Sequence, residues 1–413
     1  MRGGRDAKVG DAENKGVQPP ARRAVITFGR ELYRLPADRT AESDRQSSIT
    51  QPPMYHSLLI RTAIFGLGGV ADRIHIPACR HVAEVDLVAA CETHPETRRR
   101  MSEKFGLKAV YPDAASLLEK ENPELVIVGT PPDSHCELCL LALSCGAHVF
   151  CEKPFMRTIE EADQVIAAAR EKNLVVAVNN QYRYMPIYSR TQERLERGDF
   201  GRLYFLQCWQ QMFHPPAVEK VAWRAALKQS TLYEFGTHAL DLICYFFGAL
   251  PEALTAQIPK ALPAYSSDVL VVMTLRFPGE RVATLALNRV SQAPERYLEM
   301  RLDCERASLR LSLGGVARAS LEWSTRLGRP TGRASFVKGG EAREESGGRS
   351  TAYAREKRPA FMPATAAHLE RIVSAIQTGA RDYDAALHAR EVLRLALAGY
   401  EAAASGETVW FRR

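Results

Sequence analysis

The hydrophobic pattern changes character twice along the chain. After about 56 residues without sustained periodicity, a short apolar run, Leu58–Phe65, reads as a buried strand, and a glycine turn and a helix from Gly69 to about His81 follow it. The alternation then repeats. Apolar runs at Val85–Cys91, Lys108–Tyr111, Leu125–Val128, His148–Cys151 and Val175–Val178 predict strands. Stretches at Pro95–Phe105, Ala114–Lys120, Ser134–Cys145 and Thr158–Lys172 predict the helices between them. Strands that alternate with helices of 10–15 residues imply βαβ units and a parallel sheet. The near-continuous apolarity of the strands agrees, because such a sheet is buried on both faces.

Beyond about residue 180 the order is different. Helices are expected at Pro186–Arg197 and Leu232–Phe247, with an alternating strand at Leu203–Met212 between them. Six strand-like runs then follow one another without helices: Leu254–Ile258, Asp268–Phe277, Arg281–Asn288, Tyr297–Cys304, Ala307–Ser312 and Val316–Trp323. Consecutive strands of this kind predict an antiparallel sheet. Residues 325–360 are polar, contain Gly339-Gly340 and Gly347-Gly348, and read as a long loop. Helices at Ala364–Thr378 and Ala385–Ser405 close the chain. The fold expected is an α/β Rossmann domain followed by an α+β domain with an open, mostly antiparallel sheet. Its divisions are a disordered extension over 1–56, a dinucleotide-binding domain over 57–180 and a substrate and dimerisation domain over 181–413.

Composition narrows the class. The chain has 413 residues, 46% hydrophobic and 25% charged, which suits a globular protein of two or three domains. The net charge is +7, with much of the excess in residues 1–50 and about 325–360. These stretches lack the interleaved aromatics of a nucleic-acid surface, so no nucleic-acid partner is expected. No apolar run approaches the roughly 18–20 residues of a membrane span. The first segment has no apolar core of a secretory signal and is too acidic for a transit peptide, and Met54 is a candidate natural start. Nine scattered cysteines fit reduced thiols in the cytoplasm better than a disulfide framework. Cys136 and Cys139 form C-x-x-C, but no second ligand pair accompanies them, so buried thiols are preferred to a zinc site.

Three segments carry candidate chemistry. Gly66-Leu67-Gly68-Gly69-Val70-Ala71 fits G-x-G-x-x-A between a strand and a helix. Gly66 would make the tight turn, Gly68 would let the backbone approach a pyrophosphate, and Ala71 would let the helix pack on the sheet. The helix start would then offer N–H groups to phosphates. The bland alternative is a purely structural turn. Glu92, after the second strand, would accept from ribose hydroxyls and repel a 2′-phosphate, favouring NAD, although Arg98-Arg99-Arg100 keep NADP as the alternative unless they are a solvated helix face. Thr130-Pro131-Pro132-Asp133-Ser134-His135 follows the third apolar strand, where ligands bind in open α/β sheets, and equally reads as a stiff loop with a cap at Asp133 or Ser134. Cys151-Glu152-Lys153-Pro154 places a charged pair at the end of a buried strand.

These motifs, in this order and spacing, resemble the glucose–fructose oxidoreductase/inositol dehydrogenase (Gfo/Idh/MocA) family. The likeness continues through Gln181-Tyr182-Arg183-Tyr184-Met185-Pro186, Trp223-Arg224 and Glu234-Phe235-Gly236-Thr237-His238-Ala239-Leu240-Asp241, and covers about residues 58 to 410. It implies a sugar, cyclitol or polyol as a small-molecule substrate, reversible hydride transfer to or from a nicotinamide, and a homodimer or homotetramer formed through the open sheet. It implies that Lys153 lies beside the nicotinamide and the substrate hydroxyl, that Glu152 contacts the nicotinamide ribose, and that His238 is the general acid/base. A histidine suits that role because its pKa lies near neutrality. Thr130, Pro131 and His135 would line the cofactor groove. Gln181, Arg183, Trp223 and Arg224 would face cofactor or substrate. Tyr184 and Tyr233 would bond a substrate hydroxyl or serve as aromatic packing.

Two departures from the family pattern bear on catalysis. Lys228-Gln229-Ser230-Thr231 replaces a glycine-rich stretch, and Glu234 stands where an aspartate is usual. Glu234 and His238, four apart, would share a helix face, either with Glu234 orienting the histidine or substrate or as a helix-stabilising pair. These departures keep two other readings open: a non-catalytic NAD(P)-binding sensor, and a redox-neutral lyase or glycosidase.

Overall fold

The computed structural model describes residues 59–215, 219, 221–292, 297–324, 331–356, 360–380 and 383–411. The expected extension over 1–56 lies outside them. The first sheet consists of β1 (Ile60–Phe65), β2 (Val85–Cys91), β3 (Val110–Tyr111), β4 (Leu125–Val128), β5 (His148–Cys151) and β6 (Val176–Val178). Its order is β3-β2-β1-β4-β5-β6 and every pair is parallel. Between the strands run α1 (Ile76–His81), α2 (Pro95–Phe105), α3 (Ala114–Glu121), α4 (His135–Ser144) and α5 (Ile159–Glu171). Local sequence starts these helices. Asp113 accepts from Ser116 N–H at α3, and Thr158 and Glu161 form a reciprocal capping box at α5. Ser134 makes no side-chain cap at α4. Its hydroxyl instead donates to the Thr130 hydroxyl and the Pro131 carbonyl.

The second half begins with α6 (Pro186–Glu196), β7 (Leu203–Gln211), α7 (Ala222–Ala225) and α8 (Gly236–Phe247). It continues with β8 (Ala253–Gln257), β9 (Leu270–Phe277), β10 (Arg281–Asn288), β11 (Leu298–Cys304), β12 (Ser308–Ser324), β13 (Thr331–Ser346) and β14 (Arg349–Glu356). The end is α9 (Phe361–Thr378), α10 (Asp384–Ser405) and β15 (Val409–Trp410). The second sheet has nine strands in the order β14-β13-β12-β11-β7-β10-β9-β8-β15, and only β7 and β10 run parallel. The mostly antiparallel sheet expected after the Rossmann unit is therefore present.

The polar stretch expected as a loop over 325–360 is different. From Thr331 to Glu356 it forms a hairpin, β13 and β14, closed by Gly347 and Gly348. Both glycines have positive φ, 57° and 74°, and Ser346 pairs with Arg349 across them. That is the two-residue turn whose twist suits a hairpin. The two runs expected at Ala307–Ser312 and Val316–Trp323 are one strand, β12, with a register shift between Leu313 and Val316.

Three apolar clusters hold the molecule together. Two lie on the opposite faces of the first sheet, and the third fills the space between α8 and the inner face of the second. Every residue of α8 is buried, as an apolar helix enclosed on all sides must be. The C-terminal helices return to the first sheet. Leu369, Ile372 and Val373 of α9 join one of its faces, and Ala386, Ala389 and Leu393 of α10 join the other.

Candidate active site

All the parallel strands end on one side, and the sheet order reverses direction between β1 and β4, where open α/β folds bind ligands. The loops leaving those two strands touch: a Cβ added to Gly66, whose φ is +87°, would stand 2.9 Å from Thr130 Cγ2. Gly68 faces open space, with nothing within 4 Å of such a Cβ. The helix after it opens with a π-helical turn, Ala71–His75. Its first internal bond runs from Asp72 N–H to Gly68 O, so the earlier N–H groups point out from the helix start. Glu92, at the end of β2, has its carboxylate fixed by Leu67 N–H and His94 N–H, both at 2.9 Å, while Arg98 turns to the Glu92 carbonyl. An open glycine cradle, outward N–H groups and a fixed carboxylate at the neighbouring strand end fit a dinucleotide.

The ends of β5 and β6 build the other half. Glu152 pairs with His75 at 2.9 Å and accepts from Asn179 at 2.7 Å and from Lys153 N–H at 3.2 Å. Burial alone would raise its carboxyl, but the bonds from His75 and Asn179 and the charge of Lys153 outweigh burial and hold it down at about 2. Glu152 is thus a permanent buried anion anchoring the Lys153 loop. His135 clasps the adjoining loops: Nε2 meets the Thr130 carbonyl, and Nδ1 meets those of Pro154 and Phe155. The Lys153 ammonium crosses to the second half, where it donates to Glu234 Oε1 at 3.3 Å and to the Glu234 carbonyl at 3.1 Å.

Glu234 sits in a π-helical turn, Thr231–Phe235, that leads into α8. Such an extra residue in a turn is common at functional sites. Its Oε1 also takes Arg224 Nη2 at 3.0 Å, and its Oε2 is buried without a partner. His238 lies flat on the Tyr182 ring, centroids 4.0 Å apart. Burial, and next the charge of Lys153, push its pKa down to about 3. The side-chain partners of Glu234 are therefore Lys153 and Arg224, and among the described residues no hydrogen bond joins it to His238.

Several expected residues have other partners. The Arg183 guanidinium pairs with Asp241, Nε lying 3.1 and 3.0 Å from its two oxygens, and touches His388, which itself meets Asp241 at 2.8 Å. Tyr184 stacks on His368, and the Tyr233 hydroxyl donates to the Met156 carbonyl. Trp223 lies under the Arg224 guanidinium. Gln181 is buried with Oε1 unpartnered.

Three residues here were not singled out from the sequence. Glu219 gathers His214, Val221 N–H, Arg224 and Arg289, and the buried Arg289 also donates to Ser230 and covers the Phe235 ring. Asp268 bonds the chain just before Glu234. Each contact spans from a few to about seventy residues, and nothing local in the sequence marks it.

Residues 60–180 match the model of an oxidoreductase family with an NAD-binding Rossmann fold, and residues 188–310 match the GFO/IDH/MocA C-terminal domain. The chain belongs to the GFO/IDH/MocA family. Within this family it is 31% identical over 159 residues to D-glucoside 3-dehydrogenase of Escherichia coli, covering 38% of this chain and 44% of that protein. It is 26% identical over 228 residues to D-apiose dehydrogenase of Paraburkholderia graminis, covering 54% and 56%. The chain thus spans about half the length of these curated relatives. Among solved structures, an Agrobacterium radiobacter oxidoreductase in complex with NAD+, L-tartaric acid and magnesium superposes with a TM-score of 0.73 at 18% identity, over 85% of this chain and 98% of that one. That likeness is one of fold.

Proposed function

We propose that this GFO/IDH/MocA protein is an NAD-dependent dehydrogenase acting on a secondary alcohol of a sugar, cyclitol or related polyol. The observation that carries the reading is the meeting of Lys153 with Glu234, 3.3 Å apart, beside the His238 ring and on the same side of the first sheet as the glycine cradle, since β1 and β5 run parallel and end there. Gly66, Leu67, Gly68, Gly69, Val70 and Ala71 would hold the dinucleotide phosphates, with Thr130, Pro131 and Gln181 along the groove. When bound, the nicotinamide supplies the acceptor or donor of the hydride.

The chain's own residues handle the proton. Lys153 spends donors on Glu234 and keeps one for the substrate oxygen, whose developing negative charge its ammonium stabilises. His238 is held neutral at pH 7 by burial and by Lys153, well below the near-neutral pKa expected of it from the sequence; in that form it is the acceptor for the hydroxyl proton during oxidation and its donor during reduction. Glu234 holds Lys153 in place and presents its unpartnered Oε2 as an acceptor for a second hydroxyl. The fixed Glu92 carboxylate disfavours a 2′-phosphate, hence NAD over NADP. Two further features belong to the same reading. Phe205, Trp209 and Val272 on the outer face of the second sheet support a homodimer or homotetramer. Nine free cysteines, seven of them buried, support a reducing compartment such as the cytoplasm.

The test is a panel of sugars, inositols and polyols with NAD or NADP, read by the absorbance of reduced nicotinamide, with dinucleotide binding measured by calorimetry. We expect substrate-dependent reduction of NAD that falls by about 10³-fold in Lys153→Ala while dinucleotide affinity holds. Binding without turnover would favour a sensor or a redox-neutral reaction, and absence of binding would overturn the reading.

A further inference from the structure

The turn that carries Glu234 lacks the means to cap itself. Ser230, at its N-cap, makes no side-chain bond to the turn, and the sequence there is Lys228-Gln229-Ser230-Thr231. The first N–H groups of a helical segment have no acceptor inside it and must find one elsewhere. Here they find it on a residue more than thirty positions away. Asp268, in the segment leading into β9, accepts through Oδ1 from the N–H groups of Ser230 and Thr231, the latter at 3.0 Å. Its Oδ2 accepts from Leu232 N–H at 3.0 Å and from the Tyr400 hydroxyl at 2.9 Å. Tyr400, on α10, accepts in turn from Tyr233 N–H at 3.2 Å. Four successive backbone N–H groups, from residue 230 to 233, are thus served by one carboxylate and one phenol. Glu234 N–H begins the internal ladder, donating to Ser230 O at 2.8 Å.

The anchor is itself fixed on both sides. Asp268 N–H donates to the Lys228 carbonyl, the Thr231 hydroxyl donates to the Asp268 carbonyl, and Val269 accepts from Arg289 N–H. A carboxylate at this end also meets the positive pole of the helix it caps. Burial, with the Asp268 charge second, raises the Tyr400 phenol, so it remains a donor.

We propose that Asp268, with Tyr400, is the positioning residue of the catalytic turn, setting the place at which Glu234 meets Lys153 and His238 meets the substrate. The proposal rests on the dehydrogenase reading for its catalytic consequence. Geometrically it says that the acceptor for this turn comes from the second sheet and α10 rather than from the turn's own sequence. An error of about 1 Å at a reacting group costs about 10²-fold in rate.

The test compares full-length wild type with Asp268→Asn, Tyr400→Phe and the double variant. Each is measured for kcat, KM, dinucleotide affinity and the imidazole NMR signals of His238, the last assigned with His238→Gln. For Asp268→Asn we expect kcat down about 10- to 100-fold, with dinucleotide affinity within about twofold, and His238 signals shifted from their wild-type positions. Tyr400→Phe loses the bond to Asp268 and the one from Tyr233 N–H but leaves the Asp268 carboxylate on the N–H groups of residues 230–232, so it is expected to fold and to lose a few-fold in kcat. The two substitutions act on one carboxylate, so the double variant is expected to lose little more than Asp268→Asn alone. A folded Asp268→Asn with unchanged kcat and unchanged His238 signals would overturn the proposal, as would strictly additive losses. If Asp268→Asn does not fold, Tyr400→Phe decides by the same readouts. If wild type oxidises none of the polyols, the dehydrogenase reading falls, while the His238 signals still decide whether Asp268 sets the turn.

Discussion

At the scale of single residues, the site is built by burying charge against charge. Glu152 stays ionised because His75, Asn179 and Lys153 surround it, and His238 stays neutral because burial and Lys153 oppose a proton. His368, stacked on Tyr184 and edge-on to Phe150, is likewise pushed down to about 3, by burial first and then by Arg371. The consequence for stability has a definite sign. An unfolded histidine takes up a proton near pH 6.5 and the buried one does not, so the unfolded state binds more protons as the pH falls. Each such group is fully compatible with folding above pH 6.5 and destabilises the fold as the pH drops from there towards about 3. The slope is about 1.4 kcal/mol per pH unit per group. His368→Phe, outside the proposed chemistry, should therefore flatten the denaturation midpoint between pH 6.5 and about 4 relative to wild type, and identical pH profiles for the two proteins would refute it. Sequence alone placed Lys153, Glu234 and His238 as candidates, and the structure brings Lys153 and His238 to Glu234's turn. It could not pair them correctly. The i, i+4 spacing suggested Glu234 with His238, but the π-helical turn and Lys153, eighty-one residues away, decide where the carboxylate goes.

At the scale of elements, legibility followed burial. The strands of the first sheet are largely apolar and alternate with helices along the chain, so periodicity and alternation are enough to predict a parallel sheet, whose spatial order β3-β2-β1-β4-β5-β6 departs from the chain order. The hairpin of β13 and β14 was unreadable for the opposite reason. Its residues are polar and charged, and Gly339-Gly340 suggested a loop, while each glycine pair has a different task. Gly347 and Gly348 turn the chain. Gly340 lies inside β13, paired to Leu313 on one side and Glu356 on the other, where an added Cβ would stand 2.8 Å from the Ser312 carbonyl oxygen and 3.1 Å from Ile187. One close neighbour is backbone and cannot rotate away. Gly340→Ala should accordingly cost about 1–3 kcal/mol through overpacking and lower the melting temperature by several degrees. Gly348→Asn, at a position with open space around it and with a residue type that tolerates positive φ, should change it little. Equal effects of the two substitutions would contradict this account of the hairpin.

At the scale of the whole molecule, the two sheets are tied together by the end of the chain. Helices α9 and α10 cover the two faces of the first sheet, and Tyr400 of α10 reaches the turn before α8, so the cofactor side and the proposed proton-handling side share one scaffold. The second sheet covers only one of its faces in this way. Leu206 and Cys208 of β7 point into the core with α8, while Phe205 and Trp209 point outward. Trp209 lies in a cross-strand row with Ala286 of β10 and Val272 of β9, and Phe205 lies beside Val282. Trp209 is 41% exposed and Val272 52%, a large apolar area for the centre of a sheet whose other face packs against α8. The row is bordered by Glu299, Arg301 and Asp303 on β11 and by Arg276 on β9, charges of both signs that a second copy can match by a twofold axis. A charge placed at the centre of such a self-complementary face meets its own image across the axis, so one substitution is repeated in both partners. If a second copy covers this face, as proposed, wild type sediments as an oligomer and Trp209→Lys should give smaller species in sedimentation equilibrium, leaving the far-UV spectrum and dinucleotide affinity intact, because the glycine cradle is on the other sheet. A wild type that sediments as a monomer, or a variant that keeps the wild-type mass, would show that this face is covered by something other than a second copy.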